Sequence, residues 1–269
     1  MNIFTSAIYN LVTRKYYINK VPSKHKICEV VSLLAPVKSP YRMIRIGGSD
    51  DGAYLIPDDL NGIEMCFSPG VGHTNRFELE LYSDYDIKCA AADASVDGLP
   101  EESDGINFIK KYIGNKDCDP SYITLSKWMS SFVDFDDGSD FLLQMDIEGG
   151  EYDVLISEDI ETLSKFRIIA IEFHNLELML DRYGIELLDS ILRKITSNFH
   201  PVYIHPNNVP GFFEREGVVI PRVLEVVFLR KDRFDECIYL ENLDSFSHLS
   251  VTNDQNKPEI KLSRHWFKT

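Results

Sequence analysis

The sequence has no Cys-x-x-Cys pair, no basic stripe, no apolar run of membrane-spanning length and no internal repeat. Each absence removes a class of protein. The five cysteines (Cys28, Cys66, Cys89, Cys118 and Cys237) are scattered and odd in number, which argues against a disulfide scaffold and predicts a reducing, cytoplasmic setting. Cys66 and Cys89 fall in strand-like apolar runs, where cysteine acts as a small hydrophobe. A net charge of -15 repels nucleic acid and anionic membrane, because phosphate-backbone binding needs a basic face. The first residues lack the apolar core of a signal peptide, so the expectation is a soluble protein without a membrane span.

What remains is an α/β pattern. At 269 residues the chain is long enough for one large domain with appendages. Its centre is Phe141-Leu142-Leu143-Gln144-Met145-Asp146-Ile147-Glu148-Gly149-Gly150-Glu151-Tyr152-Asp153-Val154-Leu155. The run opens as a short apolar strand of the kind buried on both faces of a parallel sheet. It then breaks into two carboxylates and a Gly-Gly pair and resumes as a helix. Asp146 and Glu148 are thereby placed at the carboxyl end of a buried strand, where open α/β sheets bind their ligands. If the strand period continues, side chains two apart face one cavity.

Around this stretch the chain reads as alternating strands and helices. Residues 1–40 carry helical patterning punctuated by Pro22, Pro36 and Pro40, a helical cap. Its basic cluster Arg14, Lys15, Lys20, Lys24 and Lys26 reads as a solvated face, or as one that greets an anionic substrate. Arg45–Pro57, with Asp51-Gly52 between apolar segments, predicts a hairpin. Residues 62–72 read as a strand running into Ser68-Pro69-Gly70-Val71-Gly72, and Phe77-Glu78 opens the next helix. Glycines at 70 and 72 would let a ligand approach the backbone closely. The third glycine of the dinucleotide fingerprint is missing, since Asn75 holds that place, which disfavours a nicotinamide enzyme. A second strand ends in Asp93, whose carboxylate suits ribose hydroxyls.

A third strand is expected over 106–113, and Trp128, in a short helix, is expected in the core. Beyond the central strand come a helix over 151–165, a strand over 167–175 in which Glu172 and His174 lie two apart, and a helix over 176–197. The apolar face of that last helix is expected from Leu178, Leu180, Leu187, Leu188, Ile191 and Leu192. Strands at 201–205 and 223–230 close the pattern. Residues 233–269 form an extension, either a flexible arm or a docking segment.

This order fits a Rossmann-like seven-stranded methyltransferase sheet with helices on both faces. The stretch Leu143–Leu155, together with Thr124-Leu125-Ser126-Lys127-Trp128 before it and Ile171-Glu172-Phe173-His174 after it, resembles the FkbM family of S-adenosylmethionine (SAM)-dependent methyltransferases over roughly residues 42–232. The first loop departs from the family's Asp-x-Gly-Ala-Asn form, and its Ser68-Pro69 removes an acid and a backbone donor. A looser similarity is to macrocin-type sugar O-methyltransferases, which hold a divalent metal on acids after the fourth and fifth strands, the first Asp serving as base.

What the resemblance implies is an O-methyltransferase acting on a saccharide hydroxyl, carried by a domain over 41–232. The alternatives are a methyltransferase for another small metabolite and a non-catalytic SAM-fold binding module. The expected cofactor set is Asp51, Tyr54, Ser68, Gly70, Gly72, Glu78, Asp93 and Asp146. Asp146, Glu148 and His174 are the expected catalytic residues. Glu148, Glu172 and His174 would suit Mg²⁺ or Mn²⁺, hard ions that favour carboxylates. The partner is a small-molecule or glycan substrate; oligomeric state is left open, a homo-oligomer included.

Overall fold

The computed structural model describes residues 20–49, 52–117, 119–133 and 138–268. Much of the expected helical cap, with Arg14 and Lys15, and Asp51 in the hairpin turn, lie outside the described residues. In chain order the elements are α1 (Lys24–Val31), β1 (Met43–Ile46), β2 (Tyr54–Pro57), β3 (Ile63–Pro69), α2 (Arg76–Tyr85), β4 (Lys88–Ala92), β5 (Ile106–Ile109), β6 (Tyr112–Ile113), β7 (Tyr122–Ile123) and α3 (Leu125–Met129). They continue as β8 (Asp140–Met145), α4 (Glu151–Ser157), α5 (Ile160–Leu163), β9 (Phe166–Phe173), α6 (Arg182–Asn198), β10 (Phe199–Pro206), β11 (Phe212–Arg215), β12 (Val218–Pro221) and β13 (Leu224–Arg230).

Seven strands form the central sheet in the order β10-β13-β9-β8-β3-β4-β5. β13 runs antiparallel to both neighbours and the other pairs are parallel. This is the expected Rossmann-like methyltransferase sheet. β8 and β9 are buried along their whole length, as strands covered on both faces must be. One face packs on α1, α3, α4 and α6 through Phe67, Phe141, Phe166 and Trp128. The β1–β2 hairpin and α2 cover the other through Leu55, Ile56 and Phe77. Trp128 is in the core as expected.

Three of the boundaries that differ from the sequence reading have a clear local reason. The strand expected over 106–113 stops at Ile109, where the Lys111 N–H turns back to the Ile109 carbonyl; Tyr112–Ile113 then pairs with β7 instead. The helix expected over 151–165 is two helices, because Glu158 is extended and Asp159 caps a new start by accepting from the Thr162 N–H. Asp181 does the same inside 176–197, separating a 3-10 turn over Leu176–Leu180 from α6. Capping side chains of this type compete with helix continuation. Leu187, expected on the buried face, is 42 % exposed, and Ile185 and Ile195 take the core side of α6.

The amino edge of the parallel strands is tied by charge. Arg167 at the start of β9 donates through Nε and Nη2 to Asp140 Oδ2 (2.9 and 2.6 Å) and through Nη1 to the carbonyls of Asp59 and Asn61. Arg230 lies 2.6 Å from the other Asp140 oxygen, and Arg233 grips Asp59 with two bonds of 2.8 and 3.0 Å.

The chain beyond β13 docks on the body. Residues 238–240 bond to 36–38. Trp266 is fully buried and donates from Nε1 to the Val219 carbonyl at 2.7 Å.

Candidate active site

At the carboxyl edge, β3 and β8 approach so closely that their loops dictate each other's sequence. The Asp146 N–H donates to the Pro69 carbonyl at 3.1 Å. A Cβ on Gly70 would stand 1.5 Å from the Asp146 carbonyl oxygen. Glycine at 70 is therefore demanded by the neighbouring strand, whereas Gly72 faces open space. β8 ends at Met145, so strand periodicity does not align Asp146 with Glu148, contrary to the sequence argument. A turn does it instead: Glu148 and Gly149 adopt φ of 56° and 102°, a left-handed reversal that is costly for a non-glycine residue. Likewise β9 ends at Phe173 and Asn175 turns left-handed, bringing His174 back toward the same point.

Glu151 holds this turn. It is fully buried in the first turn of α4. Its Oε1 accepts from the N–H groups of Ile147 (3.0 Å) and Gly149 (3.2 Å) and lies 3.1 Å from His174 Nδ1. Tyr152, next to it, donates its hydroxyl to the His174 carbonyl. The sequence reading gave Glu151 no role. The available signal was an acid at the first helical position directly after Gly-Gly, a place where carboxylates bond back to free N–H groups.

With Nδ1 engaged, His174 Nε2 faces three carboxylates, at 3.4 Å from Glu148, 3.5 Å from Glu172 and 3.8 Å from Asp146. Ligand atoms of Asp146, Glu148 and His174 all lie within 4.8 Å of one another. Burial and the adjacent Glu172 charge push the Asp146 carboxyl up to about 9. Burial opposes a proton on His174, but Glu151, Glu172 and Asp146 outweigh it and raise the imidazole to about 9. Asp146 Oδ1 is buried with no hydrogen-bond partner. Such a cluster has excess negative charge, and either protons or a cation relieve it.

Asp146 and Glu148 also line a cavity of about 760 Å³, while Glu172 and His174 stand off its wall. Tyr54, Gly70, Gly72, Glu78 and Asp93 line it too. Behind the wall, Ser68 Oγ sits between Glu78 Oε1 and Gln144 Oε1, and Gln144 Nε2 donates to the Tyr54 hydroxyl at 3.0 Å. Burial raises Glu78, and one of its oxygens has no hydrogen-bond partner. Asp93 accepts from the N–H groups of Gly72 (2.9 Å) and Ser95 (2.7 Å) and from the Ser95 hydroxyl (2.6 Å). That network fixes its carboxylate on the cavity wall. Thus, of the cofactor set expected from sequence, Tyr54, Gly70, Gly72, Glu78, Asp93 and Asp146 share one cavity, Ser68 lies behind it, and Asp51 is outside the described residues.

A seven-stranded sheet in this order, with a glycine loop, an acid after the next strand and a carboxylate turn at one edge, defines a Rossmann-like methyltransferase. The Methyltransferase FkbM domain matches residues 22–197, more than half of the sequence. The chain belongs to that family and is a SAM-dependent methyltransferase. No curated protein matches it. Among solved structures it is similar to the fibrillarin/NOP5P complex, with 13% identity, 63% of this chain and 74% of that chain covered, and a TM-score of 0.37. It is also similar to Streptococcus pneumoniae Sp1610, a putative tRNA (m1A22) methyltransferase in complex with SAM (15%, 64% and 68%, 0.32). A third is the plantazolicin methyltransferase BpumL in complex with S-adenosylhomocysteine (10%, 84% and 89%, 0.35). Among the described residues no helix is long and apolar enough to cross a membrane.

Proposed function

We propose that this methyltransferase transfers the methyl group of SAM to a hydroxyl oxygen of a saccharide, such as a nucleotide sugar, a glycolipid or a glycan end, assisted by Mg²⁺ or Mn²⁺. The observation that carries the reading is the convergence of Asp146, Glu148 and Glu172 on the free Nε2 of His174, whose Nδ1 a buried Glu151 already occupies. A sugar hydroxyl is a poor nucleophile at neutral pH, and carboxylates at the reacting oxygen answer that need. SAM, when bound, supplies the methyl group on a sulfonium that departs as a neutral thioether and needs no acid. The residues fit SAM: Gly72 leaves its Cβ space open, Glu78 offers an unpaired buried oxygen and Asp93 presents an oriented carboxylate. Asp93 would take the ribose, and Tyr54, on the wall of the same cavity, would lie against the ligand.

The donor set also fits a hard divalent cation. Three carboxylates and one imidazole offer oxygen-rich ligation, and the Glu151–His174 bond supplies the outer contact that fixes a ligating histidine's tautomer. Glu148, Glu172 and His174, with Asp146 beside them, would hold the ion, which would lend Lewis acidity to the acceptor hydroxyl. Asp146 is the base: it lines the cavity and takes the hydroxyl proton once ionised. A positive charge nearby favours that ionised form. The scattered cysteines support a reducing, cytoplasmic setting for the reaction.

The test is a panel of sugars, nucleotide sugars and glycolipids incubated with SAM and the purified protein. S-adenosylhomocysteine and the methylated product are followed by mass spectrometry. The expected result is O-methylation that stops after chelation and returns with Mg²⁺ or Mn²⁺. Preferential transfer to nitrogen or carboxylate acceptors overturns the saccharide reading. Full turnover of metal-free protein overturns the cation.

A further inference from the structure

Glu172 stands in an awkward place. It is buried at the end of β9 and its register partner on β13 is Glu225, also buried. Like charges directly opposite one another in a sheet repel. The Glu172 carboxylate therefore has reason to turn away from Glu225. It is nevertheless held with Oε2 at 3.5 Å from His174 Nε2.

The other oxygen has a partner that fits this orientation. Asn207, 9 % exposed in the loop after β10, donates from Nδ2 to Glu172 Oε1 at 2.8 Å. The amide is itself held in one sense, since its Oδ1 accepts the Val209 N–H at 2.9 Å and its backbone N–H donates to the Val223 carbonyl at 3.1 Å. The next residue, Asn208, is 4 % exposed and grips the docked C-terminal segment. Its Nδ2 donates to the carbonyls of Asp254 (2.8 Å) and Lys257 (3.1 Å), and its Oδ1 accepts the Asp254 N–H at 2.9 Å. Ser250 of the same segment lies 3.2 Å from His205 Nδ1, and Asn253 Nδ2 lies 3.5 Å from Glu225. These groups all lie beyond the part of the chain that the FkbM domain matches.

We infer that Asn207 is a positioning residue that aims Glu172 at the His174 cluster, and that Asn208 makes the docked segment 250–258 a support of that aim. This rests on the reading of Glu172 as part of the site, and adds to it a device outside the matched domain. Asn207 does not line the cavity; it acts through Glu172.

The test compares wild type with Asn207→Leu, which keeps bulk and removes the donor, and Asn207→Asp, which replaces the donor with a like charge. Three readings are taken: Mn²⁺ affinity by electron paramagnetic resonance, SAM affinity by calorimetry, and the Glu172 side-chain position in crystals grown with Mn²⁺. Mn²⁺ affinity should fall about 10–100-fold in Asn207→Leu, the usual cost of losing an outer contact to a ligand, and further in Asn207→Asp. SAM affinity should hold within about twofold, and Glu172 should turn from His174. A Glu172 that stays in place in both variants, with Mn²⁺ affinity unchanged, overturns the inference. If wild type binds no Mn²⁺, the cation reading falls by itself, and the Glu172 position alone decides the role of Asn207. Asn208→Ala should speed amide exchange over 250–258 and displace Glu172 in part. Faster exchange with Glu172 undisturbed removes the docked segment from the device.

Discussion

At the amino edge of the sheet Asp140 meets Arg167 and Arg230, and Asp59 meets Arg233; at the carboxyl edge Asp146, Glu148, Glu151 and Glu172 share the single imidazole of His174. The same strands, β8 and β9, carry both arrangements about 17–20 Å apart along strands of this length. Where acids meet guanidinium groups, each carboxylate is paired and the edge is a fastening. Where acids meet acids, Asp146 Oδ1 and Glu151 Oε2 are buried without hydrogen-bond partners. That is a cost that stability alone would not retain. The difference assigns one edge to holding the sheet and the other to chemistry.

The largest effect that separates the edges is on turnover. Asp146→Asn keeps the side chain's shape but cannot take a proton. kcat toward a saccharide acceptor should fall about 10²–10⁴-fold, the range for a general base, with SAM affinity by calorimetry nearly unchanged. Full activity of this variant removes Asp146 as the base and blurs the contrast.

The mirror experiment breaks the other edge. Arg167→Met leaves Asp140 with one fewer partner and frees the carbonyls of Asp59 and Asn61. Removing one member of a buried pair costs about 3–5 kcal/mol, read as a lower urea midpoint. Turnover per folded molecule should hold, since Arg167 lies at the far end of its strand. A large drop in kcat without loss of stability would mean that the amino edge is not purely a fastening.

How much of this was legible beforehand differs between the edges as well. The carboxyl edge announces itself locally: Asp146, Glu148, Glu172 and His174 close two apolar runs, and topology then makes β8 and β9 neighbours. The mechanism of their convergence was not legible, because it comes from left-handed turns at Glu148 and Asn175 rather than from strand period. Asn207 and Asn208 read as turn residues, since their partners lie 35 and 46 residues away in sequence. Arg167 is a strand-opening arginine until β8 places Asp140 beside it. Trp266 stands in a sparse stretch of the extension, and its burial comes from long-range docking on Val219. Hydrophobic runs and breaks are short-range signals, whereas side-chain pairing across the fold is not.

A third, smaller contrast concerns pH in the cation-free protein. The folded Asp146 carboxyl sits at about 9, above its unfolded value of roughly 3.9. Its contribution to stability is therefore fully present below pH ~3.9 and is lost as pH rises toward 9. Asp146→Asn is spared that loss. The variant should match wild type near pH 4 and become more stable as pH climbs, by about 1–2 kcal/mol near pH 8, the usual scale for relieving a functional site. Thermal melts across pH with chelator present measure it. Parallel melting curves for the two proteins would show that the carboxyl edge carries no such cost.

The smallest effect lies at the rim of the amino edge, where the sign reverses. Asp232 accepts two bonds from Arg230, at 2.8 and 2.9 Å, and these bonds, with the charges of Arg230 and Arg233, hold its carboxyl below the ordinary range against a partial burial that would raise it. A depressed folded value gives stability that is present above pH ~3.9 and is lost as pH falls through the folded value. Its side chain is 55% exposed, so solvent screening limits the pair to about 0.2–1 kcal/mol. Asp232→Asn should lower the urea midpoint slightly at pH 7, and less so at high salt, where exposed charges are screened. The gap to wild type should close on acidification because wild type loses its advantage; the Asp146→Asn gap, of opposite sign, closes at low pH because wild type recovers. An Asp232→Asn loss that persists undiminished at pH 2 would mean that packing, not charge, is what the amino edge gains there.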